Sequence, residues 1–148
     1  MDDANAGREV IHAEYRFLAK LNRAGRTAEQ VVAAIDRLGP SITGVPLRVI
    51  DFGSGGGAVA ARLHEVSVRM GKPLAVTASD QSPVAVEYAA AHAGGRYDTI
   101  RADLLDSPFR RHGFDVAHCS LVLHHLCDAD VVRALRSMAD AASELVIW

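Results

Sequence analysis

Three carboxylates of the 148-residue sequence follow short apolar runs and stand where strands would hand over to loops: Asp51, Asp80 and Asp103. The first lies in Val49-Ile50-Asp51-Phe52-Gly53-Ser54-Gly55-Gly56-Gly57, where glycines crowd the positions after the acid. Glycine has no side chain and accepts positive φ, so such a turn lets a ligand lie against bare backbone. An apolar strand running into a glycine turn and then a helix is the layout of a nucleotide-type cofactor site. Gly53-Ser54-Gly55-Gly56-Gly57-Ala58 also satisfies the loose dinucleotide pattern G-x-G-x-x-G/A. The glycines alone therefore do not name the cofactor.

Asp51 narrows the choice. A carboxylate just before the first glycine repels a pyrophosphate where water is scarce. It attracts an ammonium or a sulfonium, and S-adenosylmethionine carries both cations and no phosphate. Asp80, at the end of Thr77-Ala78-Ser79-Asp80, suits the hydroxyls of a ribose and fits either cofactor. Asp103, in Arg101-Ala102-Asp103-Leu104-Leu105, can accept from an adenine amino group while leucine covers the ring, or it can cap local backbone. An NAD(P)-dependent oxidoreductase is the alternative supported by the glycines and Asp80, and Asp51 weighs against it.

Holding these groups requires strands that alternate with helices. Residues 8–38 read as two helices joined by a short polar break. Thr27 and Gln30 have capping-box spacing before Val31, Val32, Ile35 and Leu38 on one stripe, and Gly39-Pro40 ends that segment. A buried-type strand is expected over Leu47–Phe52, then a helix over residues 58–70 with Val59, Leu63, Val66 and Met70 on one face, stopped by Gly71-Lys72-Pro73. Residues 74–79 read as a second strand; Ser82-Pro83 then opens a helix as N-cap and first-turn proline, and Gly94-Gly95 closes it. Strands follow over residues 97–102 and 114–120. Asp128 is expected to cap a last helix bearing Val131, Val132, Leu135 and Met138, and Leu145-Val146-Ile147-Trp148 reads as a fifth strand at or near an unprotected sheet edge. This alternation predicts an α/β fold: a doubly wound, mostly parallel sheet with helices on both faces. The expected organisation is an N-terminal helical extension over residues 1–46 and a cofactor-binding domain over residues 47–148.

The run Asp51-Phe52-Gly53-Ser54-Gly55-Gly56-Gly57, then Asp80, Asp103-Leu104 and Phe114-Asp115-Val116-Ala117-His118-Cys119-Ser120, resembles class I S-adenosylmethionine-dependent methyltransferases in order and spacing. Within that class, residues 114–128 are similar to small-molecule methyltransferases of the quinone-biosynthesis type. The resemblance implies a Rossmann-like fold, S-adenosyl-L-methionine as cofactor, and methyl transfer to an oxygen or carbon of a small-molecule acceptor. It also implies roles. Gly53, Gly55, Gly56 and Gly57 would wrap the methionine part, Asp80 would hold the ribose, Asp103 with Leu104 would contact adenine, and Ser120 would lie beside the cofactor. The family's sheet ends in an antiparallel pair of strands beyond the fifth, for which no residues remain after Trp148. A chain cut short after strand five, acting as a non-catalytic cofactor-binding fragment, is therefore a second alternative.

Methyl transfer from a sulfonium needs alignment and dryness more than acid–base chemistry, unless the acceptor must lose a proton. His124 and His125, just after the fourth strand, are the candidates for such a base, because imidazole titrates near neutrality. Either can instead orient the loop or fill a packing position. A metal is not expected: strand alternation sends His118 and Cys119 to opposite faces, and no paired zinc-ligand spacing is present. Cys119 reads more simply as a buried strand residue. Tyr15, Arg16 and Phe17 could cover an acceptor, or Tyr15 and Phe17 could pack on the sheet with Arg16 in solvent.

Bulk properties limit the partners. A net charge of −2 provides no electrostatic footprint for nucleic acid, and no apolar run reaches bilayer length. The acidic N-terminus is unlike a secretory signal, and Cys119 with Cys127 is too little for a disulfide framework, so a cytoplasmic setting is expected.

Overall fold

Period-two alternation along the central strand decides how the layers form. The computed structural model describes residues 2–38 and 46–148. In chain order these are α1 (Asp2–Ala24), α2 (Thr27–Leu38), β1 (Leu47–Phe52), α3 (Ala58–Arg69), β2 (Leu74–Asp80), α4 (Pro83–Ala93), β3 (Asp98–Arg101), β4 (Phe114–Cys119), α5 (Asp128–Ala141) and β5 (Ala142–Ile147). Val49 of β1 packs with Val76, Val116 and the apolar stripes of α2 and α3, while Ile50 and Phe52 pack with Ala117, Cys119 and α5. Successive side chains of a strand point to opposite faces, so one short strand feeds both cores.

The sheet order is β3-β2-β1-β4-β5, and every neighbouring pair is parallel. The chain winds outward from β1 to β3, then crosses back to place β4 on the other side of β1. That reversal creates a switch point between β1 and β4, where a crevice opens at the carboxyl ends of the strands. The expected doubly wound α/β sheet is present, and β5 lies at its edge as expected. No described helix is long and apolar enough to cross a membrane.

Local sequence explains the helix ends. Ser82 Oγ accepts from Ala85 N at 3.3 Å, with Pro83 in the first turn, as the Ser-Pro pair predicts. After α3, Lys72 N donates to Ser67 O and Gly71 N to Val68 O, a Schellman closure that Gly71 permits at φ 67. Arg48 grips Asp115 through its side-chain Nε and Nη2 and its backbone N, tying the start of β1 to β4.

Several expectations need correction. Thr27 and Gln30 do not form a capping box: Thr27 Oγ1 donates to Asn22 Oδ1 at 3.1 Å, and Gln30 Nε2 to Gly25 O at 2.8 Å. Both side chains turn back to bind the preceding helix end. Met70 is the α3 C-cap and 47% exposed, because the face of Val59, Leu63 and Val66 has already met its neighbours one turn earlier. Cys127, not Asp128, occupies the α5 N-cap, and Asp128 lies in the first turn, where its charge suits the helix dipole. On α5 the fully buried positions are Ala134, Met138 and Ala141, whereas Val132 is exposed. The stop at Gly39-Pro40 lies outside the described residues.

Leu63 is fully buried between α3 and the sheet core. Leu63→Ala should lower the unfolding free energy by about 2–5 kcal/mol through lost transfer energy and a cavity. Met70→Ala should change it by less than about 0.5 kcal/mol. Urea titration of both variants checks this; equal losses would contradict the assignment of the buried face.

Candidate functional site

The parallel sheet brings the ends of β1, β2 and β4 to one rim, and the acids of the sequence motif gather there. Asp51 is 2% exposed. Its Oδ1 meets His118 Nδ1 at 2.8 Å, across the β1–β4 pairing in which the two residues stand opposite each other. Its Oδ2 is buried with no hydrogen-bond partner among the described residues. A buried carboxylate oxygen without a donor is costly, and because Asp51 borders a recess, a ligand donor or cation reaching that oxygen would be stabilised.

Beyond Asp51 the chain turns through Gly53 at φ 62 and Gly57 at φ 74. A Cβ on Gly53 would stand 2.5 Å from Val122 Cγ2, and one on Gly57 would collide with the Tyr97 hydroxyl. At these positions the protein's own side chains, not only a ligand, require glycine. Tyr97 is fixed in place by its hydroxyl, which donates to Ala89 O at 2.9 Å.

Asp80 clamps this turn. Its Oδ2 accepts from Gly55 N and its Oδ1 from Ser82 N, both at 2.9 Å. Each oxygen retains a further lone pair, so the clamp leaves acceptor capacity. Asp103 Oδ1 accepts from Leu105 N at 2.8 Å, the local backbone cap, and Leu104 is buried against Phe52 and α5. Ser120 Oγ donates to Asn22 Oδ1 at 3.2 Å, which ties the end of β4 to α1.

Two adjoining pockets divide the sequence-predicted residues. A recess of ≈ 70 Å³ is bordered by Asp51, Gly53, Gly55, Gly56, Ser120 and the α1 residue Tyr15. A larger pocket of ≈ 320 Å³ is bordered by Gly53, Asp80, Asp103, Leu104, Val122 and His125. Gly53 and Leu121 belong to both walls, so the two hollows meet at the glycine turn. The larger hollow has the size of a small-molecule site. Gly57 borders neither of the two. His124 and His125 are exposed on a short 3-10 helix over Leu123–His125, their rings 3.8 Å apart, and only His125 borders the larger pocket.

Spacing does not point to His118 or Asn22, and Tyr15 is expected from it only as a cover for the acceptor or as packing on the sheet. His118 is the partner of Asp51; its signal was an imidazole in the otherwise apolar interior of β4, at the same alternation phase as Val116. Asn22 accepts from both Ser120 and Thr27, a role invisible without the α1–sheet contact. Tyr15 lies over Gly55 and Gly56 and meets Tyr88 of α4 with ring centroids 5.2 Å apart. Burial and the neighbouring Asp80 carboxylate raise its phenol above the ordinary value, partly offset by a hydrogen bond with Ser82. Phe17 is 64% exposed and does not pack on the sheet; Arg16 is exposed. No group of three or more metal-ligating side chains is found among the described residues.

A family model described as a methyltransferase domain matches residues 49–144, well over half of the chain. Among solved structures, the chain is similar to a putative S-adenosyl-L-methionine-dependent methyltransferase from Methanococcus maripaludis, with 19% identity and TM-score 0.64 over 90% of this chain and 61% of that one. It is also similar to magnesium protoporphyrin IX methyltransferase from Synechocystis PCC 6803 with bound S-adenosylhomocysteine, with 24% identity and TM-score 0.64 over 82% of this chain and 53% of that one. At these identities the likeness concerns the fold. The chain spans about half the length of such structures. No curated protein sequence matches it.

Cys119 and Cys127 report on how tightly this end of the sheet is closed. Burial, with a smaller contribution from the Asp51 charge, pushes the Cys119 thiol up to about 12, whereas Cys127 is exposed. The thiolate is the reactive form, so Cys119 should resist alkylation. In mildly alkaline buffer, iodoacetamide should modify Cys127 in the native protein and reach Cys119 only after denaturation. Rapid labelling of native Cys119 would contradict the packing between β4 and α5.

Proposed function

Because the chain belongs to the methyltransferase-domain family matched over residues 49–144, we propose that it transfers a methyl group from S-adenosylmethionine to an oxygen or carbon of a small-molecule acceptor. The observation that carries this reading is Asp51. Its Oδ2 is buried with no hydrogen-bond partner among the described residues, and Asp51 borders the recess at the glycine turn. An ammonium or sulfonium relieves that charge, whereas the pyrophosphate of a dinucleotide adds to it. S-adenosylmethionine supplies an activated methyl on a sulfonium, so the protein's work is binding, alignment and exclusion of water.

Each part of the chain has a task in this reading. Asp51, Gly53, Gly55, Gly56 and Ser120 receive the methionine end, and Gly57 lets the turn pack on Tyr97. Asp80 accepts from the ribose hydroxyls with the capacity left over from Gly55 and Ser82. Asp103 and Leu104 border the pocket for the base. Tyr15 and Asn22 hold α1 over the recess and keep water from it. Where the acceptor must lose a proton, His124 or His125 takes it, and His125, at the pocket wall, is the nearer to the ligand space.

Calorimetric titration with S-adenosylmethionine and with NAD tests the cofactor directly: heat of binding is expected for the first and none for the second. Asp80→Ala should weaken S-adenosylmethionine by at least about 1 kcal/mol, since ribose hydroxyls lose their acceptor. Binding of NAD alone, or unchanged affinity in Asp80→Ala, would overturn the assignment. Changing both His124 and His125 to glutamine should reduce turnover on a proton-losing acceptor while cofactor affinity holds; undiminished turnover would remove both from the base role.

A further inference from the structure

The Asp51 carboxylate has a single hydrogen-bond partner among the described residues, and that partner sits on the neighbouring strand. His118 and Asp51 are opposed in the β1–β4 register, their side chains 3% and 2% exposed, with 2.8 Å between Nδ1 and Oδ1. An ionised carboxylate only accepts, so in this bond the imidazole carries a proton on Nδ1. A hydrogen bond to one oxygen fixes the rotation of the carboxylate plane, and with it the direction of the other oxygen. The rest of β4 between Val116 and Cys119 is apolar and buried, so a valine would fit the sheet pattern at position 118 equally well. An imidazole there needs a reason beyond packing.

We propose that His118 is a positioning residue: it holds Asp51 through Oδ1 so that Oδ2 faces the recess and receives the cofactor's ammonium group. This rests on the S-adenosylmethionine reading and adds a residue outside the glycine motif to it. The alternative is that His118 only satisfies a buried charge and so supports folding. The alternatives differ in what they do to selectivity. A support for folding affects every ligand of the site alike, whereas a support for Oδ2 affects only ligands that carry the ammonium.

The test compares two thioethers by calorimetry on the purified protein. S-adenosylhomocysteine carries the ammonium; 5′-methylthioadenosine has the same adenosine and sulfur without it. His118→Leu is expected to weaken S-adenosylhomocysteine about tenfold or more, the scale of a charged hydrogen bond, and to leave 5′-methylthioadenosine unchanged. His118→Asn, which offers an amide N–H near the position of Nδ1, is expected to keep most of the wild-type ratio between the two affinities. That second variant also carries the test should the leucine variant fail to fold. Equal weakening of both ligands in His118→Leu, unchanged affinity for S-adenosylhomocysteine there, or loss of the ratio in folded His118→Asn would overturn the positioning role alone. A wild-type protein that binds neither thioether would instead overturn the cofactor reading on which the role rests.

Discussion

Parallel pairing of β1 with both β2 and β4 is the constraint on which the site depends. In a parallel sheet all carboxyl ends share one rim, so residues distant in sequence meet there without any long-range design beyond strand register. The register puts Asp51 opposite His118 and lets Asp80, one residue beyond the β1–β2 pairing, reach the backbone of the turn that β1 feeds. A slip of one residue would exchange the two faces of β1, moving Asp51 into the apolar layer with α5 and Ile50 into the recess. Two cores, filled from alternate residues of the same strand, guard against that slip.

The glycine turn is shaped from two directions. Its positive-φ positions let the backbone reverse tightly, and Val122, Tyr97 and Tyr15 then crowd the space that side chains would have taken. Asp80 closes the arrangement by accepting from Gly55 and Ser82 together, joining the turn to the start of α4. The proposed cofactor space is thus largely built without a ligand, which lowers the ordering cost of binding. The N-terminal helix is part of it: Asn22 reaches Ser120 and Tyr15 reaches the turn, so α1 works as a wall of the site.

Much of this was legible in the sequence where one local rule dominates. β1 matches its apolar run, the Ser82-Pro83 start of α4 follows from capping chemistry, and the alternation of strands and helices predicts the doubly wound sheet. Local spacing misleads where tertiary contacts outweigh it. Thr27 and Gln30 have the capping-box interval, yet Asn22 and Gly25 offer them nearer partners. Met70 continues the α3 stripe in sequence, but the helix has run past its neighbours. His118 could be placed on the opposite face from Cys119 by alternation; its bond to Asp51 required knowing that β4, not β3, lies beside β1. Asn22 and Tyr15 depend on how α1 crosses the sheet end, which no periodicity encodes.

The central claim is that the two hollows meeting at Gly53 act as one S-adenosylmethionine site. Amide chemical-shift mapping during titration with S-adenosylhomocysteine tests it most directly. Gly53, Gly55 and Gly56 on one side, and Asp103, Leu104 and Leu105 on the other, are expected to shift along a single saturation curve. Shifts confined to one of the two hollows, or none in either, would contradict it.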